Sequence, residues 1–437
     1  MVIASITWLA ALIVVMLSLK WAIVKTRVAV VAIVLVLSWQ FIPRPLMFLL
    51  GFDQPYPNYL FQKDIWDLVS QSLIIFIVWL ALFILSYSIF FQKSLSLQRV
   101  LPRVPDDKVG LILFTIAFIT TLTGVLSTGY LIDSVGSIGS FMYQVKVGKA
   151  FAGYYVIREI SITGAIFSGI SLLYFEKKYR ASNRKNRYRR VALLSVILYT
   201  TNLSFNYFWG NRYNIAMLLG ALGIGWHFYI YKINIVKAAL LILIASMMLQ
   251  TLKNLRSENF GEVLFMDIKS TQPFWTDVSL SLHMSQFDGF MLAYQDAGKV
   301  FKLRNGKDFI NGMLAFIPRK FYPNKETYAV GGWFRRVYQP EKINGWPITI
   351  IGNWYVNFGF LGILLGALIS GTIAAIYDSI NRNIRESYWQ AGVAPPIAFF
   401  IFDGGVSTGF VQKIFLNVIP VIILAIILKR IGKNKRL

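Results

Sequence analysis

The chain has 437 residues, 56% of them hydrophobic and 16% aromatic, with a mean hydropathy of +0.57 and a formal charge of +24. So apolar a composition excludes an ordinary soluble protein and indicates an all-α polytopic membrane protein. The absence of cysteine excludes a disulfide, a thiolate metal site and a cysteine nucleophile, and two histidines, His227 and His283, exclude a histidine-rich metal centre.

Apolar runs long enough to span a bilayer fall near 3–19, 28–49, 68–91, 109–128, 158–175, 191–208, 213–231, 235–252, 350–377, 393–410 and 411–428, which predicts about eleven helices. The first run lacks a charged leader and a small-residue cleavage site, so it reads as a retained anchor. Pro395-Pro396 and Asp403-Gly404-Gly405 interrupt the tenth run and predict a broken or re-entrant element there. Three regions follow: residues 1–252 with helices 1 to 8, an external loop at 253–347, and residues 348–437 with helices 9 to 11 and a basic tail.

Lys20, Lys25 and Arg27, the cluster at 176–190, Lys232 and Lys237, Arg382 and Arg385, and the tail all fall on alternate loops. By the positive-inside rule that side is cytoplasmic, which places the 253–347 loop on the outer side. Membrane topology accounts for these basic residues, and no nucleic-acid partner is expected. The 253–347 loop is cationic despite lying on the opposite side. No Walker loop, dinucleotide fingerprint, zinc-protease pair or serine-hydrolase elbow occurs, which removes those enzyme classes.

Two constellations carry chemistry. In the first, Arg212 sits at the outer end of an apolar run, with Gly220 and Gly223 leaving room for a neighbouring helix. Its guanidinium either snorkels to the headgroups or binds phosphate from inside a cavity. In the second, Arg319, Lys325, Arg335 and Arg336 stand among prolines and the Gly331-Gly332 pair, either as an ordinary basic loop or as an anion site. His283, Asp288 and Glu326 are the candidate general bases, although a carboxylate among cations also reads as an ion-pair partner. Trp333, Tyr328 and Trp346 offer flat faces to sugars or anchor at the interface, and composition does not separate the two. Arg158 and Glu159 read as an ion pair at the outer leaflet. With no D-x-D on the external side, no metal and no other cofactor is expected.

The order GNRYN at 210–214, FDGF at 287–290, IPRKFYPNK at 317–325 and GWPITIIGNWYVNFGFLG at 345–362 resembles the Wzy-type oligosaccharide repeat-unit polymerases over the second half of the chain. That family resembles the multi-helix glycosyltransferases of the GT-C class. The resemblance implies transfer of a growing glycan from undecaprenyl diphosphate to the non-reducing end of a new lipid-linked repeat unit. The partners it implies are the lipid-linked oligosaccharide and the bilayer, with a chain-length regulator as a further candidate. The basic residues Arg212, Arg319, Lys325, Arg335 and Arg336 would then hold the diphosphate. Val330 stands where the family's second arginine-glycine pair expects glycine, and Asn353-Trp354 where relatives often carry glutamate. The alternatives are an O-antigen ligase, a monophosphate-sugar enzyme using Asp53 or Asp64, and a lipid-linked oligosaccharide flippase.

Overall fold

The computed structural model describes residues 1–93, 106–145, 151, 154–181, 185–210, 212–234, 237, 240, 244, 286–314, 321, 326, 329–341, 345–382, 388–402, 411 and 413–433. Among them the secondary structure is helical apart from one isolated bridge between Ala297 and Phe301. Among the described residues, seven helical stretches are long and apolar enough to cross a membrane: Val2–Val24, Val28–Leu49, Ile65–Lys93, Val109–Ser134, Val156–Ala181, Asn186–Phe208 and Ile350–Ile380. The molecule is therefore a multi-pass α-helical membrane protein. The remaining expected runs begin at 213, 235, 393 and 411. They fall on an 18-residue helix, largely outside the described residues, and on two shorter apolar helices.

Two compact units make up the chain. The first contains α1 (Val2–Val24), α2 (Val28–Phe41), α3 (Pro43–Leu49) and α4 (Ile65–Lys93). In α2, a run of valine, isoleucine and leucine is apolar all round, and the helix is correspondingly buried on nearly every side. Proline at the first position of α3 suits a helix start, where its missing N–H is not needed. The second unit contains α5 (Asp106–Ser134), α6 (Ile138–Tyr143), α7 (Tyr155–Ala181), α8 (Lys185–Phe208) and α9 (Arg212–Tyr229).

The chain then returns to the first unit with α10 (Gln286–Asp296), α11 (Lys307–Met313), α12 (Val330–Tyr338) and α13 (Ile350–Ile380). Helix α13 packs along α4, where Gly371 lies against the Phe83 carbonyl and Ser86, and the Ser86 hydroxyl donates to the Leu368 carbonyl at 2.8 Å. A small residue here lets two backbones approach and hydrogen-bond in an apolar setting. Gly359 (φ +61°, ψ −142°) breaks α13 into a nine-residue lead segment and a 21-residue arm. The arm alone is about 30 Å long, the thickness of a bilayer core. At its far end Asp378 accepts from the Ala29 backbone N–H at 3.0 Å and from the Tyr87 hydroxyl at 3.0 Å. A carboxylate on one helix thus caps the first turn of another.

The final helices are α14 (Tyr388–Phe402), a π-helical turn at Ile414–Val418, and α15 (Ile419–Lys433). The break expected at Pro395-Pro396 does not occur, because α14 runs through both prolines with buried residues on all sides from 392 to 400. Burial against neighbouring helices holds the backbone in helical geometry despite the lost N–H groups. Residues 403–410 lie outside the described residues.

In the second unit the helices are joined by interhelical hydrogen bonds: the Asn202 amide donates to the Thr121 hydroxyl at 2.6 Å, and the Ser171 and Ser195 hydroxyls are 2.9 Å apart. The Arg158–Glu159 pair forms at 2.7 Å, and Glu159 also accepts from the Asn417 amide at 3.0 Å. Gly220 does provide close approach, since a methyl group there would lie 3.1 Å from the Phe399 ring, whereas nothing lies within 4 Å of such a group at Gly223.

Candidate functional site

In the first unit, the α3–α4 loop, α10 to α12 and the start of α13 close around a small apolar core. Leu292, Ala293, Phe301, Phe334, Trp346, Ile348 and Val356 form it, with Leu60 and Phe61 of the α3–α4 loop packed against it. Gly331 is required here, since a methyl group at that position would meet the Trp346 carbonyl oxygen at 2.9 Å. The Trp346 N–H donates to the Gly331 carbonyl at 2.8 Å, which locks the segment before α13 onto α12. Three buried arginines surround this core, and their partners differ.

Arg44 is fully buried. Its Nε donates to both oxygens of Asp288 at 3.1 Å, Nη2 donates to Asp288 at 2.7 Å and to the Gln54 carbonyl at 2.9 Å, and Nη1 pairs with Asp53. Asp288 also accepts the Tyr56 backbone N–H at 3.0 Å. Burial raises the Asp288 pKa, and Arg44 and the Tyr56 N–H pull it back. Two carboxylates therefore answer one guanidinium, and the loop from 53 to 56 is shaped by the pair.

Arg304 is clamped in a similar way. It donates to Asp308 at 2.6 and 2.9 Å and pairs with Glu326, while its guanidinium lies 4.4 Å from the Trp333 ring. Burial works against its charge, but hydrogen bonding and attraction to Asp308 and Glu326 outweigh that and leave its pKa raised. The Asn357 amide donates to Asp308 at 3.0 Å. The Arg304 and Asn305 N–H groups donate to the Val356 and Asn357 carbonyls at 2.9 and 3.0 Å. Those carbonyls stand just before the break at Gly359, so backbone groups that lose helical partners regain them from the 304–305 turn.

Arg335 differs from both. It is only 4% exposed, yet no carboxylate lies within ion-pair distance of it among the described residues. Its Nη1 donates to the Gln339 side-chain oxygen, its guanidinium lies 4.8 Å from the Trp346 ring, and its Nε is buried without an acceptor. The Trp346 Nε1 is likewise buried without an acceptor. Burial lowers the Arg335 pKa, and Tyr56, Glu341 and Tyr59 offset only part of this. An unanswered buried donor costs about 1–3 kcal/mol, more when charged, so this pair is a source of instability that the other two arginines do not share.

The sequence candidates divide as follows. Asp288 and Glu326 are both held by buried arginines, as ion-pair partners rather than as carboxylates free in a cleft. Trp346 is fully buried in the apolar core with its ring face to Arg335, and Trp333 stacks against Arg304. Arg336 is on the exposed side of α12. Arg212 opens α9 of the second unit, and its side chain lies outside the described residues, as do His283, Arg319, Lys325 and Tyr328. Asp53 pairs with Arg44, and Asp64 accepts the Trp66 N–H at 2.7 Å at the start of α4. Sequence reasoning missed Arg44, Arg304, Gln339 and Tyr59. Arg44, flanked by Pro43 and Pro45, carried a signal that could have found it: a cation fixed by prolines at the end of an apolar run.

What the fold and site define is a multi-pass helical membrane protein with a cap of short helices that buries an arginine, Arg335, with no carboxylate within ion-pair distance among the described residues. No family model, curated protein or solved structure matches the chain.

Proposed function

We propose that the chain is a membrane glycosyltransferase that elongates a polysaccharide, moving a growing glycan from undecaprenyl diphosphate onto a new lipid-linked repeat unit at the outer face of a bacterial inner membrane. The observation that carries this reading is Arg335, a buried guanidinium with no carboxylate in reach among the described residues, beside a second orphaned donor on Trp346. Arg44 and Arg304 show that the same cap neutralises its other buried arginines with two acidic partners each. A diphosphate leaving group supplies the missing charge, and a donor fixed in a water-poor site stabilises it as the glycosidic bond breaks. Arg336, Arg319, Lys325 and Arg212 are further candidates for the same anion.

The test is the surface-glycan ladder of a strain lacking the gene and complemented with variants. A polymerase leaves single repeat units when deleted, and Arg335→Gln fails to restore the ladder although the protein reaches the membrane. A normal ladder with Arg335→Gln overturns the reading. Absence of capped lipid A in the deletion points instead to a ligase, and cytoplasmically trapped repeat units to a flippase.

A further inference from the structure

The relay that starts at Arg335 does not end at Gln339. Gln339 accepts from Arg335 through its oxygen and donates through Nε2 to the Tyr59 hydroxyl at 3.1 Å. Tyr59 lies in a short 3₁₀ turn, Asn58–Leu60, of the α3–α4 loop. Its hydroxyl is tethered, yet the residue is 74% exposed, among the most exposed large side chains in the structure. A tyrosine fixed at its polar tip and open along its ring presents a flat apolar face of set orientation. Its neighbour Leu60 packs against the core and the Leu60 carbonyl accepts from Gln295, so the turn itself is anchored.

We propose that Tyr59 is the platform for the first sugar of the donor, resting on the assignment of Arg335 to the diphosphate. In a diphosphate-linked glycan the first ring is bonded directly to a phosphate oxygen, so a sugar-binding face has to lie beside the anion site. Tyr59 is one amide away from Arg335. The two tryptophans singled out from sequence do not offer this face: Trp346 is fully buried, and Trp333 stacks against Arg304. Gln339 couples the two halves of the ligand, because one side chain positions both the guanidinium and the ring.

The experiment uses the full chain in lipid nanodiscs and compares farnesyl diphosphate with a panel of farnesyl-diphosphate monosaccharides carrying glucose, galactose or their 2-acetamido forms. Wild type binds at least one sugar-bearing probe about tenfold more tightly than farnesyl diphosphate, the scale expected of one aromatic contact. Tyr59→Leu erases that preference, while Tyr59→Phe keeps most of it. A preference that survives in Tyr59→Leu marks the ring as an ordinary interfacial aromatic and overturns the proposal, as does an equal loss for both kinds of probe. Unchanged farnesyl diphosphate binding in Arg335→Gln overturns the anion reading instead. A wild type that binds neither kind of probe overturns both.

Discussion

Arg44 and Asp288 are 244 positions apart in the chain and form an ion pair in which both side chains are fully buried. The pair joins the first turn of α3 to the first turn of α10, and through the Tyr56 N–H it fixes the course of the backbone that carries Tyr59. Its energetic sign is opposite to that of Arg335, and the two can be separated by measurement.

Arg44→Met or Asp288→Leu alone strands a buried charge and lowers stability by about 3–5 kcal/mol. The double substitution is less damaging than either single one, since it removes both charges together. Thermal unfolding of the purified protein in detergent, arranged as a double-mutant cycle, reads the coupling. Additive losses would show that the pair carries no coupling.

Arg335→Met is expected to raise the unfolding temperature, by about 0.5–2 kcal/mol in stability, because it removes a charge that burial disfavours and its neighbours offset only in part. The same change lowers chain extension about 100-fold or more, the scale of losing one fixed donor to a developing anion. A fall in both stability and activity would make Arg335 a structural residue.

Gly331→Ala places a methyl group 2.9 Å from the Trp346 carbonyl oxygen and 3.3 Å from Pro347 Cα, so it pushes the segment before α13 off α12. Overpacking of this kind costs about 1–3 kcal/mol. Gly223→Ala is the internal control: nothing lies within 4 Å of the added methyl group, and a helical glycine gains about 0.5–1 kcal/mol from alanine. Unfolding temperatures that move in opposite directions confirm the contrast.

Asp378→Ala leaves the Ala29 N–H and the Tyr87 hydroxyl without their acceptor inside an apolar helix pair, at a cost of about 1–3 kcal/mol. Tyr87→Phe removes only one of the two bonds and costs about 1 kcal/mol. Whatever protein reaches the membrane in either variant gives a ladder of normal length distribution, because Asp378 is part of the fold and not of the cap.

The spanning helices were legible because a bilayer demands long apolar runs, and α2, α4 and the arm of α13 have them. Arg335 was legible as a cation among glycines and aromatics. Its isolation from carboxylates was not, because pairing depends on which distant segments meet. Asp288 drew attention as a base, but its partner Arg44 stands in α3, 244 positions earlier, and no local periodicity links the two. The break at Gly359 was hidden for a related reason. GNWYVNFGFLG reads as a continuous helix start, and only the 304–305 turn, docked by its own N–H groups, accounts for a glycine conformation there. Proline in α14 failed in the other direction, where burial outweighed a local breaker.

The double pairing of Arg44 also sets an order of events during synthesis. Asp53 follows it by nine residues and is at hand as soon as α3 leaves the ribosome, whereas Asp288 arrives only after α5 to α9 have been made. Until then the guanidinium keeps Asp53 and water as its company. The two-carboxylate pairing of Arg44 is therefore complete only after α10 has been made, and α12 and the start of α13, which complete the apolar core, come later still.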